Sequence, residues 1–379
     1  MAQTYFATIA PGLEDALLSE VRSIGGKRAR LLRGGVEFDA ARKTLYRAAL
    51  CLRTANRLWL RVDEFRSRDA PELYNKTRRF GWERLLAPSQ PIAIRARSND
   101  SNLYHTGKIA DAVGDAIADH FRNDLQRSPP SVVDGTPSNS QTALTVMARL
   151  KDNRCQLNLD ASGQLLHKRG WRPQQATAPL RESLAAAVLN LSGWTPDIPL
   201  LDPLCGSGTI PIEAAHQSLA RPPGLERSFA LETWANHQPK KFTAIANELR
   251  QAVSDSLQAP IIGADRDASV LQLARDTSSR AGLHDLLDWQ HRPLQRWISE
   301  PPFEDRPFTV VTNPPYGHRL DIDTPMLSQL IELAQTGPAT VVFLWPSDRR
   351  DRVEANADAP QRITQFHNGG IAVDLWRLT

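Results

Sequence analysis

The chain has 379 residues, of which 41% are hydrophobic and 23% are charged. This composition is typical of a folded globular protein and excludes a chain that is mainly disordered. The 46 Lys and Arg residues against 42 Asp and Glu give a net charge of only +4. At roughly 150 residues per domain, the length predicts two or three domains.

The cysteine spacing, the N-terminal residues and the hydropathy of the chain indicate the cellular compartment of the protein. The three cysteines are scattered, with no C-x-x-C pair and no histidine pair at zinc spacing, so we expect neither a disulfide framework nor a metal site. The first residues lack the basic segment and apolar run of a secretory signal. No apolar run approaches the roughly 18 residues of a membrane helix. We therefore expect a cytoplasmic protein that does not bind membranes.

Charge is distributed unevenly along the chain. Residues 1–170 carry 27 Lys and Arg against 18 Asp and Glu, a net charge of +9, whereas residues 171–379 have a net charge of −5. A basic part of this kind attracts a polyanion. In its densest stretch, 53–97, arginines alternate with Trp59, Tyr74, Phe80 and Trp82. That mixture suits phosphate contact with base stacking, and equally a solvated surface whose aromatic residues lie in the core.

The first half of the chain predicts a mixture of short strands and helices, which is typical of an α+β fold. Leu13, Leu17 and Val21 recur at helical spacing after the turn at Pro11. The predicted strands lie at 6–10, 36–38, 91–96, 143–150 and 155–159, the helices at 13–21, 41–52 and 108–121, and a loop at 128–141.

From Leu184 onward, apolar strands alternate with helices, which is typical of a parallel, doubly wound sheet. The strands are predicted at 200–201, 261–262, 309–311 and 340–345, with helices after Thr209, Ala268 and Met326. Residues 220–260 form an insertion longer than a normal crossover, and its second part, 242–257, is predicted to be helical.

The strongest local motif is a strand that leads through Gly206-Ser207-Gly208 into a helix. Glycines let a ligand approach the backbone closely, and the helix N-terminus offers free N–H groups. The motif lacks the third glycine of the dinucleotide-binding fingerprint, and it lacks the lysine of the phosphate-binding loop found in nucleoside triphosphatases. Both kinds of phosphate site are therefore disfavoured. The candidate cofactor-binding residues of this segment are Asp202, Pro203, Gly206, Ser207, Gly208 and Thr209.

The second predicted strand of this half ends at Asp265. An acidic side chain at that position can accept hydrogen bonds from both hydroxyls of a ribose, so Asp265 is a further cofactor-binding candidate. Asp267 is better interpreted as the N-cap of the helix that follows.

A third motif, Asn313-Pro314-Pro315-Tyr316, ends another predicted strand. The prolines stiffen the loop and leave the Asn313 side chain and the Pro314 carbonyl as fixed acceptors. An exocyclic amine that donated to both would direct its nitrogen at an electrophilic methyl group, while Tyr316 stacked on the base. All four residues are the candidate catalytic residues, and Asn313 is also a cofactor-binding candidate.

Together these motifs resemble the class I S-adenosylmethionine-dependent methyltransferases that modify exocyclic amines, whose signature is Asn-Pro-Pro-Tyr. Further segments are similar to the THUMP-domain RNA guanine-N2 methyltransferases, and above all to RlmL-type members acting on 23S ribosomal RNA. These segments are residues 6–14, 34–38, 46–48, 167–172, 178–187, 221–234 and 368–378.

The resemblance implies an α/β fold with a Rossmann-like class I methyltransferase domain at 166–379. An α+β ferredoxin-like module at 1–60 and a THUMP RNA-binding domain at 61–165 would precede it. The implied cofactor is S-adenosylmethionine, and the implied partner is a structured RNA, either ribosomal RNA or tRNA. The implied activity is methylation of the N2 amine of a guanosine.

One departure from the family pattern concerns the cofactor's adenine. The family usually has an acidic residue after the third strand, where this chain reads Trp289-Gln290-His291-Arg292. The adenine contact would then fall to a backbone group or to Gln290.

Two alternatives to RNA guanine methylation stay open at this stage. One is an adenine-N6 methyltransferase acting on DNA, which shares the Asn-Pro-Pro-Tyr chemistry. The other is an RNA-binding assembly factor without catalytic activity. A further possible nucleophile, Cys205, is better interpreted as a packing residue.

Overall fold

A computed structural model of the chain describes residues 2–133, 143–172, 180–303, 306–316, 324–335 and 337–379. Most of the predicted loop at 128–141, and residues 178–179 of the family-like segment, lie outside these ranges. The described strands form two separate sheets, one in each half of the chain.

The first sheet contains eight of the described strands, in the spatial order β2-β3-β1-β4-β8-β7-β5-β6. Strands β7 and β8, which correspond to the strands predicted at 143–150 and 155–159, pair antiparallel. The strands are β1 (Gln3–Thr8), β2 (Lys27–Leu32), β3 (Gly35–Ala40), β4 (Arg57–Arg66), β5 (Pro91–Asn99), β6 (Ser131–Val133), β7 (Leu144–Lys151) and β8 (Arg154–Asp160).

Strand β4 joins the ferredoxin-like and THUMP parts into one sheet. It pairs antiparallel with β1 on one side and with β8 on the other. The sequence analysis did not predict this strand, although Leu58 and Leu60 are fully buried and alternate with partly exposed neighbours. Because β4 is continuous from residue 57 to 66, it runs across the predicted domain limit at 60/61.

Four helices cover one face of this sheet. Their apolar residues, such as Leu17, Leu45, Leu73 and Ile117, are buried in one core with the inward-facing residues of the strands. The opposite face is formed by the alternate strand residues and carries polar and basic side chains. The helices are α1 (Glu14–Ser23), α2 (Arg42–Cys51), α3 (Ala70–Arg78) and α4 (Thr106–Asp119).

The second sheet has the order β11-β10-β9-β12-β13-β15-β14 among the described strands. The first five pair in parallel and the last two form an antiparallel hairpin, so the predicted doubly wound sheet is confirmed. The strands are β9 (Leu200–Asp202), β10 (Ile261–Asp265), β11 (Asp288–His291), β12 (Phe308–Thr312), β13 (Ala339–Pro346), β14 (Gln361–Asn368) and β15 (Ile371–Leu378).

The helices of this half provide the parallel crossovers and pack around the sheet. None of the described helices is both long enough and apolar enough to span a membrane. They are α5 (Glu182–Ser192), α6 (Thr209–Ser218), α7 (Pro239–Gln251), α8 (Ala268–Arg280), α9 (Arg296–Ser299), α10 (Thr324–Gln335) and α11 (Arg350–Asn356).

The insertion at 220–260 attaches one half of the molecule to the other. The backbone N–H of Gly224 donates to the Leu50 carbonyl at 2.9 Å, and that of Leu231 donates to the Ala161 carbonyl at 3.1 Å. Its helix, α7, begins at Pro239 and ends at Gln251, so it lies earlier in the chain than the predicted helix at 242–257. A proline in the first helical turn explains the earlier start, since its missing N–H would have no partner there in any case.

Candidate active site

The candidate site residues converge because their strands are neighbours. Strand β9 is central and pairs in parallel with β10 on one side and β12 on the other. The carboxyl ends of parallel strands meet at one edge of the sheet, where ligands bind in folds of this kind. The loops after these three strands, which carry all the predicted motifs except Gln290, therefore share that edge.

The glycine loop after β9 turns tightly back against β10. The Cys205 N–H donates to the Ala264 carbonyl at 2.8 Å, which fixes the loop to the neighbouring strand. Gly206 and Gly208 have φ values of +54° and +80°, in the left-handed region that favours glycine. Gly208 caps the N-terminus of α6, which begins at Thr209. The first N–H groups of α6 therefore lie beside the loop, and they suit a ligand with hydrogen-bond acceptors.

Asp265, at the end of β10, is oriented by two backbone donors. Its carboxylate accepts from Gly206 N–H at 3.1 Å and from Asp267 N–H at 3.0 Å. An ionised carboxylate offers about four acceptor positions, so about two remain for a ligand. Asp267 accepts from the N–H groups of Ser269 and Val270, which confirms it as the N-cap of α8.

Asp202, at the end of β9, is 1% exposed. Its Oδ1 accepts from the Thr312 hydroxyl at 2.7 Å and from the Leu204 N–H at 3.3 Å. Burial raises the pKa of Asp202 to about 7, and the nearby charge of Asp265 adds to this effect. Thr312 was not predicted as a site residue, although it directly precedes Asn313 and joins two of the motifs.

The Asn313 loop presents an acceptor without a partner. Asn313 Oδ1 is buried and accepts no hydrogen bond within the described part of the chain. Pro314 is buried behind it, whereas Pro315 is exposed. A buried carbonyl oxygen without a donor is costly, so this atom is arranged to receive an N–H from a ligand.

Tyr316 is half-buried, and its hydroxyl accepts a hydrogen bond from Asn368 Nδ2 at 2.5 Å. Burial raises the pKa of Tyr316 to about 12, so the phenol is not suited to act as a base near neutral pH. Asn368 ends β14, and the sequence analysis noted it only as part of a family-like segment.

Gln290 lies on β11, and its side-chain amide donates to Asp288 Oδ2 at 2.6 Å. Its neighbour Trp289 has a clearer structural role, because its ring packs beneath the glycine motif. A Cβ atom at Gly208 would lie 2.6 Å from the Trp289 ring, and one at Gly263 would lie 2.3 Å from it. Trp289 was not predicted, although a glycine inside strand β10 signals the close approach of another group.

Cys205 is 7% exposed, in the middle of the glycine loop. Burial raises the pKa of its thiol, and the carboxylates of Asp202 and Asp265 raise it further. Because the thiolate is the reactive form of cysteine, this environment favours packing over nucleophilic catalysis.

The fold and the site together define a class I methyltransferase. Three family models match the chain: "RlmL ferredoxin-like domain" over residues 4–59, "THUMP domain" over 67–160 and "RMKL-like, methyltransferase domain" over 169–335. A curated protein of Synechocystis, named "Putative RNA methyltransferase slr0064", is 35% identical over 83% of this chain and 80% of its own length. The chain therefore belongs to the family of THUMP-domain methyltransferases with an RMKL-like catalytic domain.

Solved structures agree with this assignment. A protein titled "SMU.472, a putative methyltransferase complexed with SAH" aligns over 100% of this chain and 98% of its own, with a TM-score of 0.86 and 28% identity. A Listeria monocytogenes protein titled "predicted N6-adenine-specific DNA methylase" aligns over 100% of this chain and 96% of its own, with a TM-score of 0.85 and 28% identity.

The cofactor is S-adenosylmethionine, as the sequence analysis predicted, and the site has the chemistry to hold it. The positive-φ glycines, the N-terminus of α6 and the further acceptor positions on Asp265 are chemically suited to a nucleoside with a polar tail.

Proposed function

We propose that this protein transfers a methyl group from S-adenosylmethionine to the exocyclic N2 amine of a guanosine in RNA, with 23S ribosomal RNA as the first candidate substrate. The observation that carries the proposal is the buried Oδ1 of Asn313, which has no hydrogen-bond partner among the described residues. An exocyclic amine has two N–H donors, so it can satisfy this acceptor and the Pro314 carbonyl together.

In this proposal the chain's own residues position the reactants. Asn313 and the Pro314 carbonyl would hold the amine, Pro315 would stiffen the loop, and the Tyr316 ring would support the base. Asp265 would accept the ribose hydroxyls of the cofactor, and the segment from Asp202 and Pro203 through Gly206, Ser207 and Gly208 to Thr209 would surround its other end. The cofactor supplies an electrophilic methyl group, so the protein needs to supply alignment rather than a strong base.

RNA is the proposed polymer because the N-terminal half is basic and contains a THUMP domain, and because the Synechocystis relative is named as an RNA methyltransferase. tRNA is an alternative substrate, since tRNA-directed relatives share these modules. The name of the Listeria protein keeps DNA adenine-N6 methylation as an outcome to be tested. The contact with the adenine of the cofactor would fall to a backbone group or to Gln290, whose amide donates to Asp288.

The test is methyl transfer by the full-length protein from radiolabelled cofactor to total RNA and to genomic DNA of a strain that lacks the gene. The labelled nucleosides are then separated. We expect N2-methylguanosine from ribosomal RNA. Label in N6-methyladenine of DNA, or in ring-carbon or ribose positions of RNA, would contradict the proposal.

Asn313→Ala should reduce single-turnover methyl transfer by about 100-fold or more, because the amine loses its alignment with the methyl group. Binding of S-adenosylhomocysteine, measured by calorimetry, should change much less. Tyr316→Phe should retain most activity, since it keeps the ring and loses only the hydrogen bond from Asn368. The matched control is Asn247→Ala, an exposed position on α7. Full activity of the Asn313 variant would exclude the amine-holding role.

A further inference from the structure

The face of the first sheet that is not covered by helices forms a concave basic surface, which we call the open face. The alternation of the strands places Arg57, Trp59 and Arg61 of β4 on this side, with Arg97 of β5 and Arg149 of β7 across from them. A cavity of about 660 Å³ lies on it. This cavity belongs to the N-terminal half, and the site at the carboxyl ends of β9, β10 and β12 does not contribute to its lining.

One edge of the open face carries positive charge that no described residue neutralises through an ion pair. Arg97 and Arg149 are register partners on β5 and β7, and the next pair on the same side is Asn99 with Lys151. Arg97, Arg149 and Lys151 are exposed and form no ion pair with any described residue. Like charges directly opposite each other destabilise a sheet, so an anion placed between them would be stabilising.

The other edge of the open face carries aromatic rings. Trp59 on β4 lies opposite Phe6 on β1. Phe6 is buried, with the Arg61 guanidinium 4.3 Å above its ring. Trp59 is half-buried, with the Arg57 guanidinium 5.8 Å from its ring centre. Trp82, from the same basic stretch of sequence, lies in the core and donates from Nε1 to the Thr77 carbonyl. Of the four aromatic residues named in that stretch, Trp59 is the one that lines the cavity.

The arginines on this aromatic edge differ from those on the cationic edge. Arg57 donates to Asp160 at 2.8 Å, and Arg61 donates to Glu37 at 3.0 Å and to Asn158 at 2.8 Å. Their charges are largely compensated within the protein, and they hold the floor of the cavity in place. Two strands, β8 and β7, separate β4 from β5, so Trp59 and Arg97 lie on strands about 14 Å apart at ordinary strand spacing. Arg149 and Lys151 lie on β7, about 10 Å from β4.

We propose that the open face binds an unpaired stretch of RNA, with a base stacked on Trp59 and phosphates along Arg97, Arg149 and Lys151. Exposed base faces are available for stacking in single strands, whereas duplex RNA hides them and is recognised through its minor groove and phosphates. The inference rests on the proposed function in one respect, because it takes RNA as the polymer.

The open face is fixed to the catalytic half at one rim. Residues 163–165 and 168 line the cavity, and Arg227 of the insertion donates to the Gln164 carbonyl at 2.7 Å and to the Leu165 carbonyl at 3.1 Å. A strand held on the open face is therefore held relative to the methyltransferase domain, which would help to select the nucleotide that reaches the Asn313 loop.

The first test measures binding of a fluorescent oligouridylate of about twelve nucleotides to the full-length protein by anisotropy at several salt concentrations. The variant Arg97→Ala/Arg149→Ala should bind more weakly. The slope of log affinity against log salt should fall by about 1.4, because two phosphate contacts are lost. The matched control, Arg79→Ala/Lys108→Ala, removes the same charge from exposed positions on the helical side and should leave the slope nearly unchanged. Equal effects of the two double variants would show that only net charge matters, and would overturn the site.

The second test replaces Trp59 by Leu, which keeps an apolar side chain on the sheet but removes the stacking surface. Affinity for the oligouridylate should fall by about 5- to 150-fold, whereas affinity for a blunt RNA duplex should not change. An unchanged affinity for the single strand, in a variant whose circular dichroism matches the wild type, would refute the inference. So would an equal loss for strand and duplex.

These outcomes are separable from those of the proposed function. One outcome would refute this inference alone: the protein methylates an amine of RNA, but the open-face substitutions do not change its affinity for single-stranded RNA. Strand binding that depends on Trp59 and Arg149, in a protein whose product is not an amine-methylated guanosine, would refute the proposed reaction alone.

Discussion

At the scale of single residues, the site combines two carboxylates whose surroundings differ. Asp265 accepts two backbone N–H groups and is partly exposed. Asp202 is enclosed, and burial raises its pKa to about 7. The two groups stand at the ends of adjacent strands, so the negative charge at this edge of the sheet depends on pH near neutrality.

We expect Asp202→Asn to change how stability depends on pH. Between about pH 4 and pH 7 the unfolded wild-type chain releases a proton that folded Asp202 retains, so its free energy of unfolding falls as the pH rises. The loss is at most about 1.4 kcal/mol per pH unit, and it ends above the folded pKa. The Asn variant lacks this component and should gain stability relative to wild type over that range.

The measurement is urea denaturation of both proteins, without cofactor, from pH 4.5 to pH 8. The quantity compared is the free energy of unfolding of the Asn variant minus that of the wild type. If this difference stayed constant across the range, the pKa of Asp202 would not be raised. If it increased toward low pH, the pKa would be shifted in the opposite direction.

The sequence was most informative about residues whose chemical role can be recognised from their immediate sequence neighbours. Asp202 and Asp265 end apolar strands and Asn313 follows one, and this pattern was enough to make them site candidates. Thr312 and Asn368 carry no such signal. Thr312 matters because its hydroxyl reaches Asp202, 110 positions away in sequence, and Asn368 because the last hairpin folds back onto Tyr316. Contacts of this kind depend on tertiary structure.

At the scale of elements, Trp289 on β11 determines which side chains β10 and the glycine loop can carry. We expect Gly263→Ala to destabilise the protein by about 1–3 kcal/mol, because its Cβ would lie 2.3 Å from the Trp289 ring and 3.3 Å from Pro211. Trp289→Leu should relieve the clash, so a double-mutant cycle measured by denaturation should give a favourable coupling energy.

Gly107→Ala serves as the control for this cycle, since a Cβ at that position meets nothing within 4 Å. It should be neutral or slightly stabilising. Additive effects of Gly263→Ala and Trp289→Leu would show that the tryptophan is not what requires glycine on β10.

Strand β4 shows why some strands were not predicted from the sequence. Its sequence, Arg-Leu-Trp-Leu-Arg, alternates as a half-buried strand should, yet its many arginines favoured interpretation as a basic surface. Both descriptions are correct, because the leucines face the core and the arginines face the opposite side. The predicted domain limits at 60/61 and 165/166 stay predictions.

At the scale of the whole molecule, the segment between the two halves is anchored by buried charges. Arg169 is nearly enclosed and pairs with Glu213 of α6 at 3.2 Å, where the glutamate side chain is 0% exposed. Arg169 also donates to the Leu166 carbonyl at 2.6 Å and to the Arg53 carbonyl. Since α6 begins at the glycine loop, this cluster joins the N-terminal half to the helix that follows the loop.

We therefore expect Arg169→Met to lower the free energy of unfolding by about 3–5 kcal/mol, because it leaves the Glu213 carboxylate buried without its partner. Arg169→Met/Glu213→Leu should recover much of this loss, since an apolar pair avoids the desolvation of both charges. Arg154→Met, which breaks the exposed pair with Glu64, should cost no more than about 1 kcal/mol. Guanidinium denaturation followed by circular dichroism measures all three variants. A loss in Arg169→Met as small as in Arg154→Met, or a double variant less stable than Arg169→Met, would show that this buried pair does not hold the two halves together.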